Sequence, residues 1–282
     1  MKKIITIVFR CLLGLVVLTS VGTAIFIYKI TYGFPVSYET EKPVINFPQR
    51  QPAILVFSKT TAFRHSESIE ASKSAISEMA RRNKWFIYET EAGGIFNLQQ
   101  LAHFKVVVFN NVTGRVLNEQ QHQALSKYIE NGGSLVGIHG AGDNSHHWPW
   151  YEKYLIGARF SHHSLSPHLQ KAVIHLQTGA DTLLTNNLPH SWNHTDEWYV
   201  FFNKPKEVHV AAYINGNSIK PSGNLLWIRD KNFGMGSYHP VAWYRRVHKG
   251  KTFYTSMGHS AEAWKDTRFL HLIENGLRWS IQ

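Results

Sequence analysis

The sequence predicts an α/β fold: a doubly wound parallel sheet with helices on both faces, extended by a loop- and strand-rich C-terminal elaboration and preceded by one N-terminal transmembrane helix. Three observations carry this reading. Between residues 53 and 140, short apolar runs alternate with segments of helical periodicity, which implies right-handed crossovers joining parallel strands. After Trp148 the texture changes to aromatic loops and strand-like runs with few helical segments between them. Near the N-terminus a basic flank precedes eighteen uncharged residues, 11–28.

Taken in order, Lys2, Lys3 and Arg10 precede the run CLLGLVVLTSVGTAIFIY, which is just long enough to span a bilayer as a helix. The positive flank places the N-terminus in the cytoplasm and exports the rest of the chain, to the periplasm or the exterior. A cleaved signal peptide is the competing reading, with Gly22 and Ala24 at small positions. The apolar run continues to Tyr28, however, which favours an uncleaved anchor. Residues 1–30 are therefore expected to be a membrane anchor. Residues 31–52, with Pro35, Pro43, Pro48 and Pro52, have the composition of an extended linker, and 53–282 form one domain.

Within that domain, 53–59 reads as a buried strand, and Ser66 as the N-cap of a helix over 66–83. Strands follow at 85–91 and 105–112, separated by a Gly93-Gly94 turn and a short helix near Leu98. Asn118 is placed to cap a helix that stops at Gly132-Gly133, and 134–140 is the fourth strand. Beyond Trp148 the candidate strands are 171–177, 208–214, 225–230, 237–247 and 251–258. A closing helix covers 266–281.

Composition narrows the function. With 43% hydrophobic and 17% charged residues over 282 positions, the chain has a full core and is not disordered. Its net charge of +11 raises the question of nucleic acid, but the basic residues are scattered and no nucleic-acid motif is present, so none is expected as a partner. Cys11 is the sole cysteine, which excludes an internal disulfide, a thiolate metal cage and a thiol nucleophile in the domain.

The 17 histidines are the informative residues. In an open parallel sheet, ligands bind beyond the carboxyl ends of the strands. Polar residues at such ends are His65, Asn111, His139 with Asp143, and His259. The clusters His162, His163, His168 and His194 to Trp198 add to them. Several imidazoles beside Asp196 and Glu197 suit either a divalent metal with open positions, held by His139, His162, His259 and Glu197, or a metal-free acid–base site. The aromatic residues among them, Trp148 and Trp198 included, suit stacking on a sugar ring, although core packing accounts for about half of such residues.

Residues 63–65 (FRH), 108–111 (VFNN) with Thr113-Gly114, Gly137-Ile138-His139 with Asp143, 148–151 (WPWY), 196–199 (DEWY), His239-Pro240 with Trp243, and Gly258-His259 together resemble the ThuA-like, trehalose-utilisation family. The resemblance implies a class I glutamine amidotransferase-like, flavodoxin-like fold and a link to carbohydrate metabolism. Amidotransferases of that fold carry a cysteine on a strained elbow after a central strand. Here His139 takes that position, so glutaminase chemistry through a thioester is excluded.

The expected function is thus action on a sugar or keto-sugar, as a hydrolase, lyase or isomerase. The catalytic candidates are His65, His139, Asp196, Glu197 and His259, and the substrate-binding candidates are Asn111, Asp143, Trp148, His162, His163, Trp198 and His239. A non-catalytic sugar-binding or scaffold protein at the membrane surface is the alternative.

Overall fold

The computed structural model describes residues 2–34 and 37–282; Pro35 of the expected linker lies outside the described residues. Helix α1 (Lys2–Tyr32) buries none of its side chains and is long and apolar enough to cross a membrane. The domain then runs β1 (Ala53–Phe57), α2 (Ser66–Asn83), β2 (Phe86–Thr90), α3 (Leu98–Leu101), β3 (Val106–Asn110), α4 (Glu119–Glu130) and β4 (Ser134–Ile138). After α5 (Pro149–Tyr151) come β5 (Phe160–His163), β6 (Gln170–Leu176), α6 (Thr182–Thr185), β7 (Ser191–Asp196) and β8 (Tyr199–Phe201). The chain closes with β9 (His209–Ile214), β10 (His239–Val247), β11 (Gly250–Thr255) and α7 (Thr267–Ile281).

Nine strands form one sheet in the order β2-β1-β3-β4-β11-β10-β9-β6-β7, and β5 pairs with β8 in a separate ribbon. Strands β2 to β11 along this order are parallel, whereas β10, β9, β6 and β7 continue the sheet antiparallel. The period of two decides which helix covers which face. Leu55, Phe57, Val107 and Phe109 pack against Leu125 and Ile129 of α4. Their neighbours Ile54, Val56, Val106 and Val108 meet Ile76 and Met79 of α2 and Leu272 and Ile273 of α7. Strands β1, β3 and β4 are buried on both faces, which is why they read as largely apolar runs.

Three local features differ from the sequence reading. His65, not Ser66, occupies the N-cap of α2, and it makes no capping hydrogen bond, so its ring is free for other work. Residues 225–230 are not a strand: a single bridge joins Leu225 to Ile228 around a turn. The segment ahead of β1 is extended as its prolines suggest, yet it docks on the domain. Glu39 accepts from Lys59 at 2.5 Å and from the Gly93 amide at 3.1 Å, and Phe47 stacks on His103 at 4.4 Å. Asn118 does cap α4, in a full capping box with Gln121.

Candidate functional site

The loops after β1, β4 and β11 open on the same edge of the parallel sheet, and the β7–β8 connection folds over them. They deliver His65, His139, His259 and Glu197 to one place. The ligand-type atoms of these four residues all lie within 4.8 Å of one another. His139 begins the turn after β4 with φ +44°, a left-handed conformation costly for a residue with a side chain. Two contacts hold it there: Tyr254 donates to its carbonyl at 3.0 Å, and Asn111 Oδ1 receives the next amide, that of Gly140, at 3.4 Å.

The hydrogen bonds fix the tautomer of His139. Its Nδ1 lies 2.7 Å from the Ser256 carbonyl, an acceptor only, so Nδ1 carries the proton and donates. In the neutral ring, Nε2 then presents a lone pair 3.2 Å from Glu197 Oε2 and 3.1 Å from His259 Nδ1. Glu197 Oε2 is buried with no well-formed hydrogen bond, as is His65 Nδ1. The other oxygen, Oε1, is met by His163 Nδ1 at 2.9 Å and by His168 Nε2.

Burial works to raise the Glu197 pKa, but the imidazoles of His139, His163, His168 and His259 outweigh it and hold the carboxyl far below the usual range. Glu197 is a permanent carboxylate. Burial, reinforced by the neighbouring rings His139 and His259, pushes His65 well below 6.5, and burial also lowers His259 despite Glu197 beside it. Both rings are therefore neutral at pH 7. For His163 the bond to Glu197 overcomes burial and raises the pKa.

Asp196 does not enter this cluster. Its Oδ1 accepts from the amides of Glu197 at 2.9 Å and His259 at 3.0 Å; its Oδ2 accepts from Gly258 at 2.7 Å and lies 3.1 Å from His194 Nε2. It ties the two loops that carry Glu197 and His259. Asn111 is likewise behind the site, donating to Ser68 at 3.0 Å and steadying the His139 turn. His162 and His163 part company because neighbours on a strand face opposite ways. His163 reaches Glu197, while His162 Nε2 donates to the Pro221 carbonyl at 3.0 Å and stands apart from the metal-type cluster. Trp198 is core, 1% exposed, with its indole N–H on the Gln170 carbonyl at 2.8 Å. His239 bonds the Tyr199 carbonyl at 2.9 Å, and burial lowers its pKa to about 4.

A cavity of about 1310 Å³ opens over the cluster, lined by His65, His163, His168, Glu197, Tyr199 and His259 at its floor. Asp143 and Trp148 stand in its wall. Burial raises the Asp143 carboxyl to about 6 against the opposing bonds from Ser145. Trp148 stacks on His122 at 4.0 Å and on Trp150 at 5.2 Å. Two contributors lay outside the expected set. His168 was visible only as one more loop histidine, and Tyr199, whose ring lies 4.4 Å from His139, only as one aromatic residue among many.

Residues 53–280 match the family described as trehalose utilisation, ThuA. The chain belongs to the ThuA family. Its sheet also matches solved ThuA-like proteins. One from Bacteroides uniformis has a TM-score of 0.67 at 22% identity, covering 88% of this chain and 95% of that one. One from Parabacteroides merdae has a TM-score of 0.62 at 16% identity over 83% and 91%. A cytoplasmic protein of Salmonella typhimurium LT2 follows at 0.52 and 13%, over 81% and 96%. At these identities the likeness establishes the fold. No curated protein matches the chain. In this ThuA chain the elbow after β4 carries an imidazole, and His259, in the loop after β11, faces it with Nδ1 3.1 Å from His139 Nε2.

Proposed function

We propose that this ThuA protein binds a carbohydrate in the cavity above Glu197 and acts on it by metal-assisted acid–base chemistry, with His65, His139, His259 and Glu197 holding a divalent transition metal. One observation carries the reading. Ligand-type atoms of His65, His139, His259 and Glu197 converge within 4.8 Å of one another, and two of them, Glu197 Oε2 and His65 Nδ1, are buried without a well-formed hydrogen bond, a demand that a cation held by the four would satisfy. Three imidazoles and one carboxylate form a donor set suited to zinc and its first-row neighbours. His139 also donates its other N–H to a backbone carbonyl, as metal-bound histidines do.

A metal bound there would polarise a substrate carbonyl or hydroxyl. The chain's own residues supply the rest. Asp143, with its pKa near 6, exchanges a proton with the substrate, Trp148 offers a face for the sugar ring, and His163 and His168 keep Glu197 ionised and fixed. The family description, trehalose utilisation, supports a carbohydrate as the ligand.

Metal analysis of the purified full chain in detergent is the test. We expect one divalent metal per chain, lost in Glu197→Gln and in His139→Ala, together with sugar-induced thermal shifts that a chelator abolishes. Absence of metal with chelator-insensitive sugar shifts would move the protein to the non-catalytic sugar-binding class. We further propose that α1 is an uncleaved anchor with its N-terminus in the cytoplasm, that 31–52 connects it to the domain at 53–282, and that this domain is exported. The basic flank and the fully exposed apolar surface of α1 support this. Intact mass, and protease access to the domain from outside sealed cells, check it.

A further inference from the structure

The turn 225–228 departs from what a water-facing turn requires. Leu225 and Ile228 exchange backbone hydrogen bonds at 3.0 and 2.8 Å, which leaves Leu226 and Trp227 at the tip. Tips of this kind favour Gly, Asn or Asp because the backbone there takes positive φ. Leu226 nevertheless holds φ +51°. Leu226 is 72% exposed and Trp227 83%, and Leu225 and Ile228 on either side are also exposed. Four successive apolar side chains thus stand outside both cores on a strained backbone.

The surroundings identify what covers them. Lys220 and Arg229 flank the turn, with Asp230 the one acid beside them. Next to it Phe202 and Leu165 are exposed, with the Lys231 ammonium 4.7 Å and the Arg159 guanidinium 5.9 Å from the centre of the Phe202 ring. An apolar tip with an indole, followed by Arg229 and Lys231, matches the boundary between acyl chains and anionic headgroups. Position agrees. The uncharged run of α1 ends at Tyr28, so Ile30 to Tyr32 stand at headgroup level, and those residues wall the cavity whose rim also includes Leu165, Phe202 and Lys231. The Phe63 amide donates to the Ile30 carbonyl at 3.0 Å, fixing the domain to that end of the helix.

We propose that the turn 225–228 is a second membrane contact, in which Leu226 and Trp227 enter the lipid surface and hold the cavity mouth against it. The proposal rests on α1 as the anchor and is independent of the chemistry assigned to Glu197.

The test uses the full chain with Cys11→Ser and Trp227→Cys, labelled with an environment-sensitive fluorophore in vesicles of phosphatidylcholine and phosphatidylglycerol. A label at Lys127→Cys serves as control, because α4 ends at the opposite edge of the sheet, where β4 begins. We expect nitroxide lipids to quench the label at 227 and aqueous iodide to spare it, with the reverse at 127. Equal iodide quenching at both positions overturns the proposal. So does a labelled chain that runs as a dimer in detergent with the 227 label still shielded from iodide, which would give the turn to a second copy of the chain. Alkaline carbonate extraction separates the two readings. Release of the chain defeats the anchor, whereas retention without lipid quenching at 227 defeats the turn alone. Circular dichroism matching wild type shows that the substitution leaves the fold intact.

Discussion

Raising the pH should unlock the brace behind the site, and the loss can be sized. His194 on β7 lies between two carboxylates, with Nε2 3.1 Å from Asp196 and Nδ1 3.0 Å from Asp266. Both nitrogens face acceptors, so the ring is doubly protonated. Burial opposes this charge, but the bonds to Asp196 and Asp266 prevail and raise the pKa from 6.5 to about 9. The folded state therefore binds a proton that the unfolded chain releases, and stability falls as pH rises across that interval. At 1.36 kcal/mol per pKa unit the contribution is about 3 kcal/mol, and because the ring is almost wholly buried no discount for solvent is due. It is fully present below pH 6.5 and gone above pH 9. Guanidinium unfolding of the full chain in detergent between pH 6 and 10, followed by tryptophan fluorescence, measures it in wild type and in His194→Gln. The wild-type curve should fall by about 3 kcal/mol relative to the variant. His163, also raised, titrates in both proteins and cancels. Parallel curves would refute the charged brace.

Four further substitutions separate support from site. An added Cβ at Gly142 would stand 1.9 Å from Tyr254 Oη, the group that holds the His139 carbonyl, so Gly142→Ala should cost about 1–3 kcal/mol by overpacking and lower metal content with it. Tyr254→Phe removes the same bond without the clash and should cost only about 1 kcal/mol; a larger loss than in Gly142→Ala would reverse this ordering. Trp198→Phe should destabilise by about 2 kcal/mol, by lost packing and an orphaned Gln170 carbonyl, while sugar-induced thermal shifts persist. Trp148→Ala should also cost stability, through its lost stacking on His122 and Trp150, but it should abolish the sugar shift that Trp198→Phe keeps. If the two variants behave alike, the cavity wall has been misassigned.

The parallel half of the fold was legible because strands buried on both faces leave an unambiguous trace: apolar runs of five, bounded by turns and caps such as Asn118 with Gln121. The 225–230 run shows the limit of that signal. Leu225 to Ile228 are as apolar as the residues of β3, but they cover no core, and composition does not record which side of a chain meets solvent.

The site was legible to the same depth. Strand-end position located His65, His139 and His259, because the parallel sheet forces its carboxyl ends together whatever the loops contain. It did not rank the residues around them. The dipeptides His162-His163 and Asp196-Glu197 each place one member at the cluster and one away from it, and the choice depends on strand phase and backbone amides. Glu197 enters the cavity floor because Asp196, one residue earlier, is saturated by the Gly258, His259 and Glu197 amides and by His194. Without that saturation the loop bearing Glu197 would have no fixed distance to His259. Asp196 thus ties the loop that carries Glu197 to the one that carries His259, and it does so beside a His194 whose pKa is raised to about 9, so the brace weakens as that ring loses its proton.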